Sequence, residues 1–256
     1  MLAKLRRAYS TPPQLPSDPL EALQTLLDTE FPDTSSTKFL TDHTLRRYLT
    51  ARKNDPVKAF RQLKQTIVWQ DSYKPSLLYS EHKQSIHHEA QSGKMYVLPQ
   101  VDKNGRSVII MRPGLENSSD GAGNVRYLVY TLERAARLSE RHGDGKFIVV
   151  VDYFTGKISP STSPSLSTMR ETTNILQTHY PERLGGMLLF EAPSFFFGLF
   201  KLIKPFIDPV TSGKLRFLKR GQDVDAPFLD WDAIPEDYGG RLRYEFDQVS
   251  YFDQEK

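Results

Sequence analysis

Six histidines, no cysteine and an acid at the end of an apolar run are the first places to look for chemistry in this 256-residue chain. His82, His87 and His88 fall on one expected helix at i, i+5 and i+6. A helical metal pair needs i, i+4, so they form no ligand set. The lack of cysteine excludes disulfides, thiolate catalysis and cysteine-ligated metals. "GDG" (143–145) and "DGAGN" (120–124) read as turns. The chain has no G-x-x-x-x-G-K-[ST], and Arg126 stands where a dinucleotide fingerprint needs its third glycine. It has no G-x-S-x-G nucleophile elbow either. Asp152, which closes "FIVVVD", could be a catalytic carboxylate at a strand terminus. The commoner role for such a residue is a turn or cap. The expectation is therefore a protein that is no enzyme and carries neither metal nor cofactor.

What the chain has in place of catalytic motifs is grease. "FEAPSFFFGLFKLIKPFIDPV" (190–210) is its most apolar stretch. Glu191, Lys201 and Lys204 interrupt it, as do Pro193, Pro205 and Pro209. A membrane span needs roughly 20 apolar residues in a row, so this stretch does not span. Read as a helix from Ser194 to Phe206, it has a narrow polar stripe of Ser194, Gly198, Lys201 and Lys204. Phe195, Phe196, Phe197, Leu199, Phe200, Leu202, Ile203 and Phe206 fill the rest. That arc exceeds the roughly 100° face of an ordinary surface helix. Either the helix is nearly buried or its second apolar face meets something other than water.

The elements around it follow from period and caps. "DPLEALQTLLDTEF" opens with Asp18 as N-cap and Pro19 at the first helical position, with Leu20, Leu23 and Leu27 on one face. "TDHTLRRYLTARK" places Leu45, Tyr48 and Leu49 at helical spacing. "NDPVKAFRQLKQTIVWQDSYKP" starts at Asp55-Pro56 and carries a stripe of Val57, Phe60, Leu63, Ile67 and Val68. Near residue 94 the period changes. "KMYVLPQVDKNGRSVIIMRP" reads strand, turn, strand, with Gly105 in the turn. Helical "NVRYLVYTLERAARLSERHG", stopped by Gly143, leads to "KFIVVVD", a strand buried on both faces. Helical "SPSLSTMRETTNILQTHY", with Ser163 before Pro164, leads to "GMLLFE", and "KLRFL" is a last strand. Strands alternating with helices predict an α/β lobe with a partly parallel sheet behind a helical bundle. Lys plus Arg is 34 against 31 acids, a net +3 that does not call for nucleic acid. With 38% hydrophobic residues and a mean hydropathy of −0.50, the composition fits a soluble globular protein. "MLAKLRRAYSTPP" has no acid before Asp18 and no apolar signal core, and reads as a basic flexible tail.

Several linked segments go further. "RRYLTARK" (46–53), "DKNGRSVIIMRPG" (102–114), "HYPERLGG" (179–186), "EAPSFF" (191–196), "KPFIDPVTSGK" (204–214) and "IPEDYGG" (234–240) together resemble the CRAL-TRIO lipid-binding family, and within it the phosphatidylinositol transfer branch. They cover roughly residues 17–240. The resemblance implies a basic tail over 1–16, a helical bundle over 17–92, a lipid-binding lobe over 93–240 and a polar tail over 241–256. It implies a mixed sheet flooring an apolar cavity, with the greasy helix as its gate. Phe195, Phe196, Leu199, Phe200, Ile203 and Phe206 would face the acyl chains. By the same resemblance, Thr211 and Lys214 contact phosphate and inositol, Glu182 the inositol hydroxyls, and Arg52 and Lys53 supply headgroup or gate-coupled charge. Taken singly, these have ordinary readings: Arg52 and Lys53 as a solvated helix end, Glu182 as a partner of Arg183 or Arg134. Two departures stand out. Gly213 precedes the lysine in "TSGK", and Glu191 replaces the asparagine common before "AP". The expected ligand is a bound phospholipid, phosphatidylinositol, with phosphatidylcholine a candidate second one. The expected protein is a cytoplasmic monomer that meets membranes peripherally and transiently. The alternatives are a carrier of a tocopherol, retinoid or sterol precursor, or a cargo-free membrane or protein interaction module.

Overall fold

The computed structural model describes residues 15–32, 39–157, 164–194, 213–219 and 229–253. By contacts the chain divides into Met1–Ser72 and Tyr73–Lys256. The first unit is built from α1 (Pro19–Glu30), α2 (Asp42–Ala51) and α3, which runs from Pro56 to Tyr73. Asp18 caps α1 as the sequence predicts: its Oδ1 accepts from the Leu20 and Glu21 amides at 2.9 and 3.0 Å. Thr41 caps α2, and Asp55 accepts from the Lys58 amide at the start of α3. Leu23, Leu27, Leu45, Tyr48, Leu49, Ala59, Leu63 and Ile67 form the core. The Tyr48 hydroxyl meets Thr66 Oγ1 at 2.9 Å, so this buried phenol has a partner.

The second unit begins with a 3₁₀ turn and two short helices, α4 (Leu78–Glu81) and α5 (Lys83–Ala90). A five-stranded sheet follows in the order β1-β2-β3-β4-β5. Its strands are β1 (Met95–Val101), β2 (Ser107–Met111), β3 (Phe147–Asp152), β4 (Leu184–Phe190) and β5 (Leu215–Leu218). β1 and β2 are an antiparallel hairpin, and β2 through β5 run parallel. Gly105 makes the hairpin possible. It sits at φ +74°, and a Cβ there would lie 2.2 Å from the His142 carbonyl oxygen. The crossover helices are α6 (Gly121–His142) and α7 (Leu166–His179). All of β3 is buried, as its unbroken apolar run predicts. α6 packs on β1, β2 and β3, and α7 packs on α6. The mixed α/β architecture read from the alternation is the one observed.

Several details differ from the sequence reading. The buried stripe of α3 is Ala59, Gln62, Leu63, Thr66 and Ile67, while Val57 and Val68 are exposed. Small and polar residues that pack and hydrogen-bond displaced larger ones from the inner face. His82 is not on a helix with His87 and His88; it is the break between α4 and α5. "DGAGN" is no turn: Asp120 caps α6, which begins at Gly121. α7 starts at Leu166 with Ser165 as its cap, later than the Ser163-Pro164 pair suggests. The helices before β1 pack on α6, and the contact boundary falls after Ser72. The stretch from 241 onward is no polar fringe. It ends in α8 (Gln248–Asp253), whose Tyr251 and Phe252 are buried. Phe246 stacks on Tyr96 at 4.7 Å and Phe252 on His87 at 4.0 Å. A few aromatics anchor an otherwise polar segment because each removes a large apolar area from water.

Candidate functional site

In a parallel sheet, the strands present their N-terminal ends along one edge and their C-terminal ends along the other. Glu182 and Lys214 belong to the first edge. Glu182 lies two residues before β4, in a left-handed conformation at φ +58°. Lys214 lies directly before β5, and its carbonyl accepts from the Met187 amide at 2.8 Å. The β4–β5 register sets Met187 opposite Leu215, so Lys214 is level with Gly186, four residues or roughly 13 Å further along the strand direction than Glu182. Both side chains are part-exposed. Among the described residues, neither has a hydrogen-bond or ion-pair partner.

The ordinary reading of Glu182 as a structural ion pair does not hold. Arg183 is committed elsewhere: its Nη2 meets Glu140 Oε1 at 2.5 Å, its Nη1 donates to the Gly145 carbonyl at 2.7 Å, and its guanidinium lies over Phe147. Arg134 sits 3.9 Å above the Tyr251 ring and donates to Tyr130. Among the described residues, none stands within 4 Å of where a Cβ on Gly213 would lie.

Arg52 and Lys53 lie in the helical unit. Arg52 is the C-cap of α2, and Lys53 and Asn54 follow in left-handed conformations at φ 54° and 60°. Both basic side chains are exposed at a helix end where positive charge is favoured. Thr211 and the gate positions Phe195, Phe196, Leu199, Phe200, Ile203 and Phe206 lie outside the described residues, and so does the cavity they were expected to close.

The opposite edge is a finished network. Asp152 Oδ1 accepts from the Phe154 and Thr155 amides at 2.8 and 3.0 Å. Its Oδ2 accepts from Thr155 Oγ1 at 2.5 Å and the Tyr238 hydroxyl at 3.1 Å. Arg112 Nε donates to the same Tyr238 oxygen at 2.9 Å. Burial pushes the Tyr238 phenol well above its ordinary pKa. Asp152 is thus the turn residue, not a catalytic carboxylate. Glu191 is here too, after β4 at φ +50°, beside a small open recess of about 100 Å³ shared with Asp152, Phe154 and Asp237. The seven residues of β4, roughly 23 Å of strand, separate it from Glu182.

One surface had no counterpart in the sequence reading. Leu166, Met169 and Leu176 on α7 are 59%, 47% and 37% exposed, while Ile175 faces inward. Their spacing of three and seven was the available signal for a second apolar face. Among the described residues no helix is long and apolar enough to cross a membrane, and no group of three or more histidines and acids is arranged to hold a metal.

A five-stranded mixed sheet with crossover helices, carrying a closed polar network at one end and charges without a described partner at the other, defines a mixed α/β domain. The solved structure of Sfh5 shares the fold, with a TM-score of 0.55 at 18% identity, over 80% of this chain and 82% of that one. The family model of the CRAL/TRIO domain matches residues 91–240, and the chain belongs to that family. A CRAL-TRIO domain-containing protein of Schizosaccharomyces pombe is 32% identical over 84% of this chain. The phosphatidylinositol transfer protein Pdr17 of Saccharomyces cerevisiae is 28% identical over 80% of it. The chain spans 20% of the length of the first and 59% of the second.

Proposed function

We propose that this chain binds a phospholipid, phosphatidylinositol before others, and exchanges or presents it at membrane surfaces without covalent chemistry. The observation that carries the reading is the pair Glu182 and Lys214, charged and unpartnered among the described residues at one edge of the sheet. A phosphodiester takes cations and hydroxyl donors, the role of Lys214 with Thr211. Inositol hydroxyls take a carboxylate acceptor, the role of Glu182. Arg52 and Lys53 add positive charge. Family membership and the phosphatidylinositol transfer protein among the relatives support the lipid class. The exposed face of α7 supports an apolar ligand.

Energetics set what such a protein must do. A diacyl lipid has roughly 30 methylenes, each worth about 0.8 kcal/mol on leaving water, so it almost never leaves a bilayer unaided. A carrier has to cover both chains and open only against a membrane, where an exposed apolar helix is stabilised. Phe195, Phe196, Leu199, Phe200, Ile203 and Phe206 are the residues assigned to that cover. Phosphatidylcholine is a second candidate ligand. The protein acts as a cytoplasmic monomer that touches membranes transiently.

Lipid extraction from the purified protein, followed by mass spectrometry, is the direct test. Phosphatidylinositol is expected, and recovery of only a non-phospholipid overturns the assignment. Transfer of radiolabelled phosphatidylinositol between vesicles should occur with wild type and fall to background for Thr211→Asp combined with Lys214→Ala. An unchanged rate in that variant removes the headgroup site.

A further inference from the structure

The residues on either side of Glu182 are tied down to α6 by two acids of one stripe. Glu133 and Glu140 are seven residues apart on α6, two turns along the same face. Glu133 Oε1 accepts from the Tyr180 hydroxyl at 2.7 Å. Glu140 Oε1 accepts from Arg183 Nη2 at 2.5 Å. Tyr180 is buried, and Pro181 next to it fixes its own φ. The Arg183 carbonyl also accepts from the Phe147 amide at 2.7 Å, which ties the turn to β3. Between these anchors Glu182 holds its left-handed conformation, a state that side-chain-bearing residues keep only where the surroundings impose it. Burial raises the Glu133 carboxyl above its ordinary pKa, against the Tyr180 hydrogen bond and the Arg137 and Arg183 guanidinium groups. α6 thus spends a crowded carboxyl on holding this turn.

We propose that Glu133 and Glu140 are positioning residues for headgroup recognition. Glu133, through Tyr180, fixes the turn that presents Glu182. Glu140 occupies Arg183, so the neighbouring guanidinium cannot pair with Glu182 and neutralise it. The Glu182 carboxylate is left to accept from a polyhydroxylated headgroup. This role rests on the phosphatidylinositol reading above.

The full chain is equilibrated with vesicles holding equal phosphatidylinositol and phosphatidylcholine, and the ratio of the two lipids bound is measured. Tyr180→Phe removes only the hydroxyl, and Glu140→Gln removes the charge that occupies Arg183. Each should lower the phosphatidylinositol preference by roughly fivefold, the effect of losing part of one charged hydrogen bond. The unfolding midpoint should move by no more than about 4 °C. In a Glu182→Ala background both substitutions should have no further effect on the ratio, a coupling that a merely structural role would not produce. The inference is overturned if Tyr180→Phe and Glu140→Gln keep the wild-type ratio while Glu182→Ala loses it, or if their losses persist undiminished on Glu182→Ala. A wild-type protein that takes up no phosphatidylinositol overturns the reading beneath it, and this role with it.

Discussion

The two ends of the parallel strands handle charge by opposite rules. At the C-terminal end, Asp152 is 4% exposed and accepts from two amides, a threonine and a tyrosine. The Arg112 guanidinium is 4.0 Å away and is bonded to that tyrosine. At the N-terminal end, Glu182 and Lys214 keep contact with water, and no described residue pairs with them. A buried charge must find its partners within the protein or the fold does not form. A part-exposed charge can wait for a partner from outside. The first end is therefore architecture, and the second is where the proposed headgroup contacts fall.

The sharpest way to break this contrast is Asp152→Ala. It strands two amides, a phenol and a threonine hydroxyl in a buried site, and should cost about 3 kcal/mol in urea unfolding. Lipid bound per folded molecule should not change. A loss below roughly 0.5 kcal/mol would mean the network is ornamental. Tyr238→Phe removes one member and leaves the carboxylate its other three donors, so about 1.5 kcal/mol is expected.

A subtler effect comes from His179, the last residue of α7, close to the turn that carries Glu182. Burial lowers its pKa from 6.5 to about 4. The unfolded chain therefore binds a proton between these values that the folded chain does not, so this contribution is complete above pH 6.5 and lost as pH falls towards 4. The ring is partly solvated, so only about 1 kcal/mol should disappear between pH 7 and 5. His179→Gln should flatten that part of the stability profile, as followed by thermal unfolding at the two pH values. A slope that survives the substitution would place the titrating group elsewhere.

Much of the fold was legible because local chemistry and burial agree. Asp18-Pro19 and Asp55-Pro56 open helices, Gly105 turns a hairpin, and "FIVVVD" is apolar enough for the centre of a sheet. The failures have physical causes. In α3 the inner face uses Ala59, Gln62 and Thr66, whose size and hydrogen bonding matter more than their hydropathy. Tyr251 and Phe252 escaped notice because two aromatics in a polar segment make no periodic pattern, yet stack on His87, Tyr130 and Arg134. Glu182 and Lys214 were singled out only through neighbouring motifs. No spacing rule marks them, because what sets them apart is the absence of a described partner, a property of three dimensions. "EAP" adjoins the greasy stretch in sequence, while the whole of β4 separates Glu191 from Glu182 in space.

The smallest expected change in stability carries the most about function. Glu182→Ala and Lys214→Ala remove charges with no described partner, so each should shift unfolding by less than about 0.5 kcal/mol. Glu182→Ala would also trade a strained left-handed glutamate for a residue no better suited to that conformation, so no gain offsets the loss. Phosphatidylinositol transfer, by contrast, should fall by about tenfold or more in each, the cost of removing one partner of a charge-assisted hydrogen bond. If Lys214→Ala proved as destabilising as Asp152→Ala, the lysine would have a structural partner and the two ends of the sheet would follow the same rule. If it left both stability and transfer untouched, the N-terminal edge would be ordinary solvated surface, and the proposed headgroup site would be removed from it.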